Sequence, residues 1–231
     1  MPLFHPSGGL VYHARAWRWG KRLWAPFHDQ VRRWLTDWRP PASHLLLLGP
    51  SGGYALSRPF LERFDRLTVV EPDPLARRLL VRRFPGRGFA FAGDPGLARA
   101  DGFARLARAW PDAAFLFCNL LGQDLTGAPD GFDRPAWLRR LPADLAGRHW
   151  ASWHDLAATD QAPARHDPVD LPRGEDLEAS LARFWQGRGP DHPLAIHDSG
   201  CAGLLPDAPR RLAVWQLAPG RHHLIEWLAA G

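Results

Sequence analysis

A chain of 231 residues with 45% hydrophobic and 23% charged residues has the size and composition of one globular domain with a small appendage, which excludes disorder and fibres. No run approaches the roughly 18 to 20 apolar residues that span a bilayer, and Met1-Pro2-Leu3-Phe4-His5-Pro6 has neither the basic start nor the apolar core of a signal peptide, so a cytoplasmic chain without a membrane span is expected. Cys118 and Cys201 are too few for a disulfide framework or an all-cysteine zinc site, which fits a reduced compartment.

Lys21 is the only lysine among 29 basic residues, and arginine occurs in every segment, which reads as the codon bias of a GC-rich bacterial genome. Residues 1–40 carry seven basic and two acidic groups, whereas the other 191 residues carry 22 of each. The high isoelectric point therefore belongs to the N-terminal arm, and the body is neutral. Five of the 12 tryptophans lie between Trp17 and Trp38. Val31, Trp34, Leu35 and Trp38 share one helical face that should pack on the body, with Arg32 and Arg33 in water. The less periodic stretch Tyr12–Trp24 is the place to seek function, as an aromatic lid, a stacking surface for nucleic acid or an interfacial helix.

From His44 onward, apolar runs alternate with amphipathic segments, the pattern of a parallel sheet with crossover helices. The expected strands are His44–Leu48, Leu67–Val70, Phe89–Ala92, Ala113–Cys118 and His149–Trp153. The expected helices are Tyr54–Phe64, Leu75–Phe84, Gly96–Trp110 and Glu178–Trp185. Asp73 is placed to cap a helix that starts at Pro74, because proline lacks the N–H that would be orphaned there. Residues 160–176, with three prolines and no period, read as an exposed loop or lid. Arg211–Leu217 and His222–Leu228, joined through Pro219-Gly220, read as an antiparallel hairpin with a type II turn.

The first strand runs into Gly49-Pro50-Ser51-Gly52-Gly53-Tyr54, a small-residue turn that lets a ligand approach the backbone and the start of a helix. It lacks the lysine of a phosphate-binding P-loop and the GxGxxG spacing of a dinucleotide site. What remains is Gly49-x-Ser51-x-Gly53 followed 22 residues later by Glu71, a carboxylate at a strand end that can accept ribose hydroxyls. Here the chain resembles the class I S-adenosylmethionine-dependent methyltransferases over residues 44–231. LLLLGPSGGY stands for the family's first motif, TVVEPDP for the acidic second, AFAGDP with Asp94 for the third strand end, and FLFCNLLGQ with Asn119 for the fourth.

The resemblance implies an α/β fold, with a Rossmann-like, mostly parallel seven-stranded sheet, helices on both faces and a C-terminal antiparallel hairpin. A helical arm over residues 1–43, a candidate lid, would precede it. S-adenosylmethionine would be the cofactor, with Gly49, Ser51 and Gly53 bordering its methionine part, Glu71 the ribose, Asp94 the adenine amino group and Asn119 the transferred methyl. Methyl transfer to a small aromatic or heterocyclic acceptor follows, with Tyr12, Trp19 and His197 as acceptor-binding candidates. His154, read as following the fifth strand, is the candidate general base; the adjacent His-Asp pairs do not suggest a metal site, because neighbours on a strand face opposite ways.

Three other readings stay open. The turn also spells GxSxG, the nucleophile elbow of α/β-hydrolases, with Ser51 as nucleophile and Asp198 and His222 or His223 completing a triad. A hydrolase needs several strands before its elbow, and residues 1–43 read as helical. An RNA methyltransferase is less favoured, because Asn119-Leu120-Leu121-Gly122 lacks the two prolines and aromatic of many amino-methylating enzymes. A non-catalytic scaffold of the same fold is the last.

Overall fold

The computed structural model describes residues 9–123, 125, 127–185, 194–204 and 207–231. Strands β1 (His44–Leu48), β2 (Arg66–Val70), β3 (Ala90–Ala92), β4 (Ala113–Cys118) and β5 (Trp150–Thr159) form the parallel part of one sheet. To β5 are added the antiparallel hairpin β8 (Arg210–Ala218) and β9 (Arg221–Ala230) and two short strands, β6 (Val169–Leu171) and β7 (His197–Asp198). The order is β3-β2-β1-β4-β5-β9-β8-β6, with β7 on β5. This is a Rossmann-like α/β fold: the expected seven strands are present, and β6 and β7 extend them.

Both faces of the sheet are buried at its centre, which is why β1 reads His-Leu-Leu-Leu-Leu rather than alternating. Leu46 and Leu48 face a core with Phe103, Trp137 and Phe184, while Leu45 and Leu47 face one with Val31, Phe60 and Leu80. The first is covered by α5 (Gly102–Ala109), α6 (Arg134–Asp144) and α7 (Leu177–Ala182), the second by α2 (Ala25–Asp37), α3 (Arg58–Leu61) and α4 (Pro74–Arg83). The N-terminal arm continues α2 backwards through a π-helical turn, Gly20–Trp24, to α1 (Gly9–Trp19). Along α2, Phe27, Val31 and Leu35 are buried and Arg33 is exposed. Arg32 is instead half-buried, where it donates to the carbonyls of Tyr54 and Leu56.

Several element boundaries differ from expectation for local reasons. The helix expected over Tyr54–Phe64 is one turn long, because Ser57 is extended and caps Phe60 N and Pro59 falls in the first turn. The helix expected from Gly96 starts at Gly102. Asp94 Oδ1 accepts from Gly96 N at 2.9 Å and Leu97 N at 3.0 Å, folding 94–97 into a turn instead. Asp73 caps α4 as expected, accepting from Leu75 N at 2.8 Å. Within the expected loop 160–176, Val169–Leu171 pairs with β8. Gly220 has φ of 69°, as the third residue of a type II turn requires.

Candidate active site

The chain runs outward from β1 through β2 to β3, then returns across β1 to β4, so the strand order reverses between β1 and β4. In an open parallel sheet, ligands bind outside the carboxyl ends of the strands at such a switch point. The residues that end these two strands, Gly49 and Asn119, both have positive φ, 64° and 53°. Each turns the chain sharply away from the sheet, leaving room between them. At Gly49 it is the positive φ that suits glycine, since a Cβ there would make only an ordinary contact, 3.4 Å from Leu120 Cδ1.

On the β2–β3 side lies a cavity of about 200 Å³ lined by Gly49, Glu71, Arg77 and Asp94 with apolar walls that include Val70, Leu97 and Leu120. Glu71 is buried, 6% exposed. Its Oε2 accepts from Ser51 N at 2.8 Å and its Oε1 from Asp73 N at 3.0 Å, so the carboxylate ties the glycine turn to the start of α4. Burial pushes its pKa up, and the two backbone N–H groups oppose that shift. Each oxygen keeps a second acceptor position, which a ligand hydroxyl could use. Asp94 is exposed at the rim, with Oδ1 committed to its own turn.

On the β5 side lies a second cavity of about 220 Å³, lined among others by Tyr12, Asn119, Asp155, His197, Trp215 and His223. Between the two is a crevice of about 30 Å³ bordered by Gly49, Ser51, Asn119, Tyr12, His28 and Trp215. It shares Gly49 with the first cavity and Tyr12, Asn119 and Trp215 with the second. The arm supplies its roof. Tyr12 of α1 lies 5.0 Å, ring to ring, from the fully buried Trp24, whose indole N–H donates to Leu217 O at 2.9 Å. Gly9 N and His13 Nε2 both reach Asp73 Oδ2 at 3.2 Å, pinning α1 beside Glu71.

Of the residues singled out from sequence, Gly49, Glu71 and Asp94 thus line one cavity, Gly49, Ser51 and Asn119 the crevice, and Tyr12, Asn119 and His197 the other cavity. Gly53 borders none of these three: its φ is 69°, and a Cβ there would sit 2.6 Å from Leu80 Cδ1, so its role is to seat the turn on α4. Trp19 borders none of them either; the guanidinium carbons of Arg18 and Arg22 lie 4.8 and 5.0 Å from its ring centre.

His154 corrects a boundary error. β5 does not stop at Trp153 but continues to Thr159, and His154 is fully buried within it. Its Nδ1 lies 3.1 Å from Ser152 Oγ and its Nε2 3.3 Å from Glu226 Oε2 of β9, and it lines none of the three cavities. The next residue is the one that reaches the cavity. Asp155 Oδ1 accepts from His223 Nδ1 at 2.9 Å, its N donates to Asn119 Oδ1 at 3.0 Å, and its Oδ2 accepts from Asn119 Nδ2 at 3.3 Å. The sequence reading did not single out Asp155, which lies one residue beyond His154 on the opposite face of the strand, and nothing in the sequence paired it with His223.

The hydrolase arrangement is absent among the described residues. None of the described residues before β1 forms a strand, Asp198 is exposed and accepts from Gly200 N, and His223 pairs with Asp155 instead. No group of three or more metal-ligating side chains occurs among the described residues, and none of the described helices is long and apolar enough to cross a membrane.

No family profile and no curated protein matches the sequence. Solved structures do match. The N-methyltransferase NodS from Bradyrhizobium japonicum WM9, in complex with S-adenosyl-L-homocysteine, is 16% identical over 89% of this chain and 87% of its own, with a TM-score of 0.43. Magnesium protoporphyrin IX methyltransferase (ChlM) from Synechocystis PCC 6803 with bound S-adenosylhomocysteine is 15% identical over 88% and 82%, also at 0.43. The amino pentose methyltransferase CalS10 from Micromonospora echinaspora, bound to S-adenosylmethionine, is 18% identical over 96% and 82%, at 0.37. Likenesses at this level say nothing of substrate or activity.

Proposed function

We propose that the protein transfers a methyl group from S-adenosylmethionine to a small acceptor. The observation that carries this reading is the row of cavities across the switch point, one on each side of the Gly49–Asn119 crevice. A group transfer between two bound molecules needs two pockets joined by a passage for the group, with water excluded from it.

The residues of the first cavity fit an adenosyl group. Leu97, Leu120 and Val70 offer apolar walls to a flat ring, Glu71 offers carboxylate lone pairs to a pair of hydroxyls, and Asp94 at the rim is placed for an exocyclic amine. Gly49 and Ser51, at the strand end and in the crevice, would hold the amino-acid portion through backbone groups. The bound cofactor supplies a methyl group made electrophilic by a sulfonium. This chain supplies position: Tyr12 and Trp215 close the crevice with aromatic surface, and the second cavity holds the acceptor.

Calorimetry with S-adenosylhomocysteine tests the reading. The wild-type chain is expected to bind it, and Glu71→Ala to lose at least about tenfold in affinity, since one hydrogen bond to a charged group contributes about 1.5–3 kcal/mol. No binding by the folded protein, or unchanged binding in the variant, would contradict it.

A further inference from the structure

We infer that His223, held by Asp155, is the group that takes a proton from the methyl acceptor, so that the acceptor is a molecule whose nucleophilic atom arrives protonated: a hydroxyl or an ammonium group. The inference rests on the methyl-transfer reading and names the chemistry of its second cavity.

The backbone is arranged to bring the pair together. The register of β5 on β9 shifts between Asp155 and Ala157, leaving Leu156 as a bulge, and bulges re-aim side chains beside active sites. Gly122 permits it: a Cβ there would lie 2.5 Å from Asp155 O and 2.9 Å from Asp155 N, so only a glycine lets the loop after β4 press against the bulge. Asn119 then grips Asp155 at two points, through its backbone N–H and its carboxylate.

The pairing fixes the state of the imidazole. A carboxylate only accepts, so Nδ1 holds the proton in the 2.9 Å contact between His223 and Asp155 Oδ1, and in the neutral imidazole the lone pair is left on Nε2. Nε2 has no hydrogen-bond partner although it is buried, and His223 lines the second cavity. Around the ring stand Asp155 from β5, bonded to Nδ1, Trp215 from β8, whose ring centre is 6.0 Å away, and the neighbouring His222 of β9, while Tyr12, Arg134, His197 and Arg221 line the same cavity. Trp215, which also lines the cavity, is 4% exposed and its indole N–H is likewise unpartnered, so two residues of this lining each hold a buried polar atom with no protein partner. Buried polar groups are nearly always paired, so two such atoms in the lining of one cavity are places where a ligand or a water can supply the partner.

The proton of the acceptor passes to Nε2, and the imidazolium so formed faces the Asp155 carboxylate through Nδ1–H. The lone pair left on the acceptor atom forms the bond to the methyl carbon, while the electron pair of the breaking carbon–sulfur bond stays on sulfur. His223 is thereby a catalytic residue and Asp155 a positioning residue.

The test uses the full chain with tritiated S-adenosylmethionine and three probes. Phenol and benzylamine arrive protonated, whereas thiophenol is already ionised at neutral pH and needs no base. His223→Gln is expected to slow transfer to phenol and benzylamine by roughly 10²–10⁴ and transfer to thiophenol by less than about threefold. S-adenosylhomocysteine affinity, read by calorimetry in His223→Gln and Asp155→Asn, should stay within about twofold of wild type, which also reports that both variants fold. Independently of turnover, ¹⁵N spectra of the histidines should show the His223 proton on Nδ1 and should show it shift in Asp155→Asn. An equal loss for all three probes, no loss, no transfer to phenol or benzylamine by protein that binds S-adenosylhomocysteine, or a proton on Nε2 would each overturn the inference. Failure of the wild type to bind S-adenosylhomocysteine would overturn the methyl-transfer reading beneath it as well.

Discussion

Ser51 and Asn119 are the two non-glycine residues with positive φ among those described, at 50° and 53°, and they stand on either side of the switch point. Left-handed backbone costs a residue with a Cβ about 1–2 kcal/mol, and such strain collects where a site needs a particular turn. Ser51 acts through its backbone N–H, which donates to Glu71. Ser51→Gly is therefore expected to raise stability by about 0.5–1 kcal/mol in a denaturant titration, the strain relief exceeding the entropy cost of glycine, and to leave S-adenosylhomocysteine binding intact. A loss of binding would mean that the hydroxyl itself contacts the ligand.

His28 gives a pH prediction at the same scale. Burial, followed by repulsion from Arg32 and Arg83, pushes its pKa down to about 3 from 6.5. The unfolded chain therefore binds a proton at His28 between those values while the folded chain does not, so stability falls as pH drops through that window. His28→Phe, which keeps a flat ring against Tyr54 and Trp24, should lose less stability between pH 6.5 and 4 in thermal melts. Equal slopes would contradict the assignment. Single residues were the least legible feature of the sequence. His154 and Asp155 are adjacent, and which of them meets the cavity depends on how far β5 runs, something no local residue type announces.

Among the elements, the arm behaves as part of the core at its C-terminal half and as a cavity wall at its N-terminal half. Trp24, at the end of the π-helical turn, is fully buried against Tyr12, Tyr54 and Trp215. Trp24→Ala is expected to cost about 3–5 kcal/mol, measured by chemical denaturation, and to loosen the Tyr12 roof. A cost under about 1 kcal/mol would show that the arm is not packed as described, since fully burying even one apolar side chain is worth more. The helical stripe Val31–Leu35 was readable because a 3.6 period needs no tertiary knowledge. The short α3 and the late start of α5 were not, because there side chains of Ser57 and Asp94 claim backbone N–H groups and convert a helical pattern into turns.

For the whole molecule, the parallel strands β1 and β4 were legible since strands buried on both faces are nearly unbroken apolar runs, β2 from its short Leu67–Val70 run, and the hairpin from Pro219-Gly220. From these the switch point follows, and with it the position of Gly49, Glu71 and Asn119. The second cavity was hidden, because its walls come from the arm, β5, β7, β8 and β9, which only the assembled sheet brings together. On the proposed reading, cofactor and acceptor sit on opposite sides of the crevice between Gly49 and Asn119. A crystal structure of the protein grown with S-adenosylhomocysteine tests it most directly. The adenosyl group should lie in the cavity of Glu71 and Asp94, with ribose hydroxyls on the Glu71 carboxylate and the sulfur turned to the crevice beside Tyr12 and Asn119. An adenosyl group seated against Asp155 and His223, or a sulfur turned away from the crevice, would contradict the account.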